Sequence, residues 1–339
     1  LTYFDAVRFP VIGKIYPDSL PFFSRIPYFL KPTTRKAVWN LGQNAAGIAV
    51  RFRSDSPVIA VKWENTFNNS MKHMAPVGIK GLDLYCFIDG KWRFVNSAQP
   101  SGKTNQWQII SGMNAAEREY MLYLPLYDGI HSLQIGVAAP SHIGQPSLPY
   151  PDTRKPIIFY GSSITQGACA SRPGMAATNL IGRKLNVETI NLGFSGNAFI
   201  DYEVAEMMAH VDASAYVLDY VPNASPEQIL EKTEKFVRIL REKHPDVPLI
   251  FVEDPIFPHS KFDLRMAKEI KDKNDAMNQA FSSLKKQGLK KIYLVKGRSL
   301  ISANGESTVD GIHFTDCGFE QYVDAILPIL KKAINHKKK

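Results

Sequence analysis

The chain has 339 residues, of which 45% are hydrophobic and 22% are charged, and its formal net charge is +9. This composition supplies enough apolar material for two cores and argues against disorder, and the length is comfortable for two domains. No stretch approaches the roughly 20 apolar residues that cross a bilayer, so we expect no membrane span.

The positive charge does not indicate a nucleic-acid partner, because the lysines are scattered and five of them lie in the last nine residues, 331–339. The first residue of the chain is Leu1 rather than a methionine, and no basic-then-apolar leader follows it. We expect a secreted or periplasmic protein whose leader is absent from this chain, and a cytoplasmic location stays open. Cys86, Cys169, Cys317 and the eight histidines show no metal-ligand spacing, so we expect no metal, and one disulfide is left open.

The first half of the chain is predicted to be a jelly-roll-like β-sandwich spanning residues 1–150. Short runs rich in Val, Ile, Tyr and Phe alternate there with turn residues, and no helical periodicity is found. Asp89-Gly90 lies between two of these runs and indicates a hairpin. The predicted strands are 48–52, 58–63, 82–88, 92–95, 119–124 and 130–137.

Residues 140–156 contain five prolines and one glycine and are predicted to form a linker or crossing strap. Because proline-rich segments are stiff, we expect the two halves to keep a fixed relation, with the first half completing the substrate site. The alternative is a sandwich that only stabilises the second half or binds polysaccharide at a distance.

From residue 151 to 339, strands alternate with helices, which predicts a three-layer, doubly wound parallel sheet. Ser225 and Gln228 have the spacing of a capping box at a helix start, and Gly288 is placed to end a helix over 263–287. A last helix follows Asp316. The predicted strands are 157–160, 187–192, 215–220, 249–253 and 291–295. In such sheets the ligand site lies at the carboxyl ends of the strands.

Four segments of this half carry candidate site residues. Ser163 follows the first strand, where a serine at a strand-to-helix turn suits a nucleophile, although this segment alone favours a loop or cap residue. Gly196 follows the second strand and Asn223 the third, where a backbone amide and a side-chain amide can stabilise an oxyanion. Asp310 precedes His313 by three residues, a spacing that lets the carboxylate hold Nδ1–H and leaves Nε2 as a base.

This order of residues resembles that of the SGNH (GDSL-like) hydrolases over roughly residues 155–332. The resemblance implies a flavodoxin-like fold, a catalytic triad of Ser163, His313 and Asp310, and an oxyanion hole made by Ser163, Gly196 and Asn223. It implies no metal and no organic cofactor. Two positions depart from the family pattern: Ser162 replaces the Asp of the first block, and Asp219-x-x-Pro222-Asn223 replaces the usual Gly-x-Asn-Asp block.

Two further motifs indicate a subfamily. Residues 81–85, Gly-Leu-Asp-Leu-Tyr, look like the GxDLY signature of a β-sandwich that precedes certain SGNH catalytic domains, and residues 171–174, Ser-Arg-Pro-Gly, follow the nucleophile block as they do in those proteins. We interpret the GxDLY segment as framework, a strand entering a hairpin. Arg172 is predicted to face the active-site mouth and contact substrate, with a surface or domain-interface role as the alternative.

The predicted function is hydrolysis of short acyl esters, foremost O-acetyl groups on carbohydrate, with a small ester or acetylated saccharide as the partner. Acyl transfer through the same acyl-enzyme is the alternative. A non-catalytic carbohydrate-binding protein on a hydrolase scaffold is the third. The α/β-hydrolase layout fits less well, because the Ser163 segment lacks the second glycine of the nucleophile elbow.

Overall fold

The protein is described by a computed structural model over residues 1–149 and 155–335. Part of the predicted strap, residues 150–154, and the lysine-rich end, residues 336–339, therefore lie outside the described residues. Within the described residues, no helix combines the length and the apolar character needed to cross a bilayer.

The first half of the chain forms two antiparallel sheets packed face to face. The strands are β1 (Thr2–Asp5), β2 (Val11–Ile12), β3 (Ala49–Ser54), β4 (Ile59–Asn65), β5 (Leu82–Ile88), β6 (Lys91–Ala98), β7 (Thr104–Ile110), β8 (Arg118–Tyr123), β9 (Ile130–Val137) and β10 (Ile143–Gly144). One sheet has the order β1-β9-β4-β7 and the other β10-β3-β8-β5-β6, with β2 on β3. Phe52 and Leu122 of one sheet and Val61 and Ile135 of the other belong to one buried core. The predicted β-sandwich is confirmed.

All six strands predicted for this half are present, and the hairpin at Asp89-Gly90 joins β5 to β6. Both turn residues have positive φ angles, 52° and 72°, as the tight hairpin turn requires. Strands β1, β2, β7 and β10 were not predicted, because they are very short or rich in polar residues. Two helices, α1 (Lys36–Gly42) and α2 (Pro76–Lys80), correct the expectation of no helix. Both are too short to show an apolar period.

The two halves of the chain share hydrophobic cores. Ile26 and Val38, which lie between β2 and β3, are fully buried in the same cluster as Tyr160 of the second half. On the opposite face of the second half, Ile79 packs in the cluster that contains Phe159. A fragment of the second half alone would expose both surfaces, so truncation near residue 150 would not cleanly test the role of the first half. The boundary itself stays a prediction.

The second half is built on a five-stranded parallel sheet. Its strands are β11 (Ile157–Gly161), β12 (Thr189–Gly193), β13 (Ala215–Asp219), β14 (Leu249–Val252) and β15 (Ile292–Val295), in the order β12-β11-β13-β14-β15. Its helices are α3 (Ser163–Gln166), α4 (Ala177–Leu185), α5 (Tyr202–Met208), α6 (Pro226–Lys243), α7 (Leu264–Lys286) and α8 (Asp316–Asn335). This flavodoxin-like order reverses direction at β11, which is where ligands bind in doubly wound sheets.

Helices cover both faces of this sheet. Phe236 of α6 and Met277 of α7 pack on one face, and Leu180 of α4 and Phe319 of α8 pack on the other. The three-layer fold predicted from the alternating pattern is therefore confirmed. The capping box of α6 is also present, since the Ser225 hydroxyl accepts a hydrogen bond from the backbone of the third helical residue and that residue's side chain returns one. Gly288, with φ +86°, follows α7 and ends it as predicted.

Candidate active site

The serine that follows β11 is the first residue of α3. Ser162 caps this helix, its hydroxyl accepting a hydrogen bond from the Ile164 amide at 3.2 Å. The Ser162 hydroxyl is therefore engaged in capping the helix. The hydroxyl of Ser163, in contrast, is directed at His313. The Ser163 amide lies in the first turn, where backbone N–H groups have no acceptor within the helix. Ser163 is 6% exposed.

Three side chains form a continuous hydrogen-bonded chain at this serine. His313 Nε2 lies 3.0 Å from Ser163 Oγ, and His313 Nδ1 lies 2.7 Å from Asp310 Oδ2. The other carboxylate oxygen accepts the amides of Ile312 and His313 at 3.1 and 2.8 Å. Although burial raises the pKa of Asp310, hydrogen bonds from His313 and from these amides lower it to about 2. The carboxylate is therefore ionised near neutral pH and holds the Nδ1 hydrogen, leaving the Nε2 lone pair directed at the serine.

The glycine loop, residues 193–198 at and after the end of β12, lies beside α3. Gly193 approaches α3 so closely that a Cβ at this position would lie 2.2 Å from the Gln166 amide nitrogen. The Gln166 side chain in turn accepts the Ser195 amide at 3.0 Å. Gly196 has φ +65°, is exposed, and has open space where a side chain would be. Its backbone is thus available for the close approach of a ligand.

The side chain of Asn223 is tied to the same loop. Its Oδ1 accepts the Ala198 amide at 3.2 Å, two residues beyond Gly196. Because the oxygen is the acceptor in this bond, the Nδ2 hydrogens are directed elsewhere and can serve an oxyanion. Although the third block departs from the family pattern, Asn223 is brought next to the glycine loop.

Two buried residues, whose roles the sequence did not predict, support these loops. The guanidinium of Arg25, which is 2% exposed, donates to the carbonyls of Asn191 and Gly193 at 3.1 and 2.6 Å and so fixes the start of the glycine loop. Asp219 accepts hydrogen bonds from Thr165 of α3 and Tyr322 of α8 at 2.9 and 2.7 Å. Burial raises the pKa of Asp219 to about 7, against the opposing effect of these two hydroxyls. Arg25 belongs to no local motif, and the third block contains Asp219 but does not reveal its partners Thr165 and Tyr322.

A loop of the first half reaches the triad. His73 lies between β4 and α2, and its ring centroid is 5.4 Å from that of His313. The Cys169 thiol, six residues after the nucleophile, donates to the His73 carbonyl at 3.2 Å. Tyr127 also approaches from the first half, its hydroxyl 3.5 Å from the Ser163 carbonyl oxygen. Cys86, Cys169 and Cys317 are all free thiols, so the disulfide left open by the sequence is not formed.

Arg172 makes its polar contacts with the sandwich and with its own turn. Its guanidinium donates to Asp83 Oδ2 at 2.9 Å and to the Tyr85 hydroxyl at 2.6 Å, and it lies 3.7 Å from the centre of the Phe94 ring. Asp83 is fully buried and also accepts the Gly174 amide at 2.7 Å. The Asp and Tyr of the GxDLY segment therefore hold the Ser-Arg-Pro-Gly turn. These contacts agree with the alternative prediction, in which Arg172 lies at the interface between the two halves. They do not support a contact between Arg172 and substrate.

Arg172→Ala is expected to lower the free energy of unfolding by about 3 kcal/mol, because it leaves the buried Asp83 carboxylate without its cation. KM for a small nitrophenyl ester should not change. Urea unfolding and steady-state kinetics measure the two effects. The double variant Asp83→Ala/Arg172→Ala is the control and should be less destabilised than the sum of the single variants. A raised KM with unchanged unfolding would instead favour the substrate contact.

Two family models match the chain. The model described as the GDSL-like Lipase/Acylhydrolase family matches residues 154–331. The GxDLY model, described as the N-terminus of SGNH hydrolase-type esterases, matches residues 1–143. No curated protein sequence matches the chain significantly.

Several solved structures share the whole fold. A protein from Bacteroides ovatus described as a GDSL-like lipase is 38% identical, with 98% of each chain covered and a TM-score of 0.94. A salicylyl-acyltransferase from a tetracycline biosynthetic pathway is 17% identical over 96% of this chain and 95% of its own, with a TM-score of 0.75. An acetyl xylan esterase from the rumen bacterium Butyrivibrio proteoclasticus is 12% identical over 99% and 100% of the chains, with a TM-score of 0.60. The last two similarities show a shared fold alone.

Proposed function

Because the chain belongs to the GDSL-like lipase/acylhydrolase family and is an esterase of that family, we propose that it hydrolyses short acyl esters, foremost O-acetyl groups on carbohydrate, through Ser163. The observation that carries this proposal is the hydrogen-bonded chain from Ser163 Oγ through His313 to Asp310. A serine hydroxyl is a weak nucleophile until an oriented base accepts its proton, and this chain supplies that base.

In the proposed mechanism, Ser163 Oγ attacks the acyl carbonyl carbon while His313 Nε2 accepts the hydroxyl proton. Asp310 holds the imidazolium through Nδ1–H. The tetrahedral oxyanion accepts hydrogen bonds from the Ser163 and Gly196 amides and from Asn223 Nδ2. His313 then gives its proton to the leaving alcohol oxygen. Water attacks the acyl-enzyme in the same way, with His313 again as base and then as acid, and releases the carboxylic acid.

The exposure of His313 and Asp310, beside a nearly fully buried Ser163, supports a short acyl group carried by a large alcohol. The side chains of His313 and Asp310 are 22% and 35% exposed. A long acyl chain needs an apolar channel to gain binding energy, whereas an acetyl group on a saccharide needs only an open cleft that admits the sugar. The fold shared with an acetyl xylan esterase is consistent with this substrate class.

The partial exposure of His313 favours hydrolysis over acyl transfer, because water reaches the histidine that would activate it. Acyl transfer requires an acceptor site that excludes water. The intact Ser-His-Asp arrangement argues against a purely sugar-binding role. We also propose that the loop carrying His73 completes the substrate site, since it lies against the catalytic histidine. Secretion stays a prediction.

A fluorophosphonate probe and a panel of esters test this function. The probe should phosphonylate Ser163 with loss of fluoride, and peptide mass analysis locates the label. Activity should fall as the chain of nitrophenyl esters lengthens, and acetylated oligosaccharides should release acetate. Labelling of a different residue, or a preference for long acyl chains, would contradict the proposal.

Asn223→Ala is expected to lower kcat by about 10² to 10³ with little change in KM, because one oxyanion donor is lost only in the transition state. Steady-state kinetics on nitrophenyl acetate measures both constants. Asn223→Asp is the matched control: it keeps an oxygen that can accept the Ala198 amide, lacks the Nδ2 donor and adds a negative charge beside the oxyanion, so it should be at least as impaired. Near-normal kcat in both variants would remove Asn223 from the oxyanion hole.

A further inference from the structure

Three potential metal ligands from distant parts of the chain meet beside the nucleophile. They are His73 of the loop after β4, Cys169 of the loop after α3, and His313 of the triad. One ligand atom from each residue lies within 4.8 Å of those from the other two. The spacing of cysteines and histidines along the sequence predicted no metal site, and it gave no sign of this cluster because its members come together only in the folded protein.

The cluster is held in place by contacts of its own. The Cys169 thiol donates to the His73 carbonyl at 3.2 Å, and the rings of His73 and His313 lie 5.4 Å apart, tilted by 33°. Cys169 has φ +68°, a conformation that costs energy in a residue with a side chain. Burial, with a smaller contribution from Asp310, raises the pKa of the Cys169 thiol to about 12. Without a metal the thiol is therefore protonated near neutral pH.

We propose that His73, Cys169 and His313 form a Zn²⁺ site and that zinc bound there inhibits the enzyme. Two imidazoles and one thiolate are ligands that zinc prefers, and a fourth position is left for water. Zinc–nitrogen distances of about 2.0 Å and zinc–sulfur distances of about 2.3 Å place two nitrogens and one sulfur of a tetrahedral site roughly 3.3 to 3.5 Å apart. The three ligand atoms lie within 4.8 Å of one another and need to approach by at most about 1.5 Å to reach this geometry.

The orientation of the catalytic histidine already suits a metal ligand. Its Nδ1 is held by Asp310 at 2.7 Å, which leaves Nε2 as the ligand atom. Metal-bound histidines commonly have a carboxylate on the second ring nitrogen, which fixes the ring and raises its basicity. The same hydrogen bond that prepares His313 as a base therefore also prepares it to bind zinc.

Zinc binding and catalysis compete for one lone pair. When Nε2 binds zinc, it has no lone pair for the Ser163 proton, and the hydrogen bond between Nε2 and Ser163 Oγ is lost. The Cys169 thiol releases its proton to solvent as it becomes a ligand. The inhibitory effect depends on the proposed function of His313, whereas the metal site itself does not.

Metal binding is tested directly on the full-length, reduced, metal-free protein. Co²⁺ should bind with a near-ultraviolet thiolate-to-cobalt charge-transfer band. Zn²⁺ should abolish this band, and competition with a chromophoric chelator should show one zinc ion bound per chain.

Cys169→Ser retains a hydroxyl for the His73 carbonyl but loses the thiolate. It should lack the band and bind zinc at least about tenfold more weakly. Cys317→Ser, at an exposed cysteine on α8, should behave as wild type. A band that persists in Cys169→Ser, or equal zinc affinity in both proteins, would overturn the site.

Inhibition is tested as the ratio of esterase activity with and without zinc, so that changes in basal activity cancel. Zinc should inhibit the wild-type protein and Cys317→Ser reversibly, with activity restored by EDTA. The inhibitory concentration should rise at least about tenfold in Cys169→Ser and in His73→Ala. Zinc binding at Cys169 without inhibition would overturn the inhibitory role. Absence of ester hydrolysis in every protein would contradict the proposed function, while the cobalt spectrum would still decide the metal site.

Discussion

Ser163→Ala is expected to lower kcat by about 10⁶ while the protein remains folded, because the members of a catalytic triad act as one unit. Ser163 Oγ lies 3.0 Å from His313 Nε2, and removal of the hydroxyl leaves the histidine with no nucleophile to activate. His313→Ala should cause a loss of the same order, and the double variant should lose little more than either single one. Hydrolysis of nitrophenyl acetate measures the effect, and circular dichroism checks the fold.

The two nearby serines are the controls for this prediction. Ser162→Ala removes the cap of α3 and should lower the free energy of unfolding by about 1 kcal/mol, with a far smaller loss of kcat. Ser195 lies in the glycine loop, where its backbone amide rather than its hydroxyl is held by Gln166, so Ser195→Ala should stay active. An inactive Ser195→Ala with an active Ser163→Ala would make the assignment of the nucleophile wrong.

Asp310→Asn is expected to lower kcat by about 10³ to 10⁴. The carboxylate accepts Nδ1–H and thereby keeps the Nε2 lone pair on the serine side. An amide can donate its own hydrogen to Nδ1, which favours the tautomer with hydrogen on Nε2, and that tautomer is unable to accept the serine proton. Steady-state kinetics tests the prediction. Asp316→Asn, nearby at the start of α8, is the matched control and should keep near-normal kcat.

The depressed pKa of Asp310 adds a test of stability against pH. Because the pKa is lowered from 3.8 to about 2 in the folded protein, its contribution to stability is fully present above pH 3.8 and is lost as pH falls through 2. Asp310→Asn lacks this contribution, so the difference in unfolding free energy between the two proteins should shrink in that window. A difference that grows as pH falls would contradict the lowered pKa of Asp310.

The elements of the fold were predictable because their signals are local. Alternating apolar residues predicted the sandwich strands, and Asp89-Gly90 predicted the turn between β5 and β6. The capping pair of Ser225 and Gln228 predicted the start of α6. The candidate triad could also be predicted from the sequence. A parallel sheet brings the carboxyl ends of its strands to one edge, and Asp310 is only three residues from His313. The same reasoning failed for α1, which is too short to show a helical period.

What the sequence determined by itself is thus the type and order of most of the longer elements, together with the segments that meet at the sheet edge. The tertiary structure alone decided which side chains from distant segments meet there. It turned Arg172 towards Asp83, buried Arg25 under the glycine loop, and placed His73 and Cys169 beside His313. Periodicity and turn chemistry depend on neighbours along the chain, whereas these contacts depend on how the sandwich packs against the parallel sheet, and no local pattern records that packing.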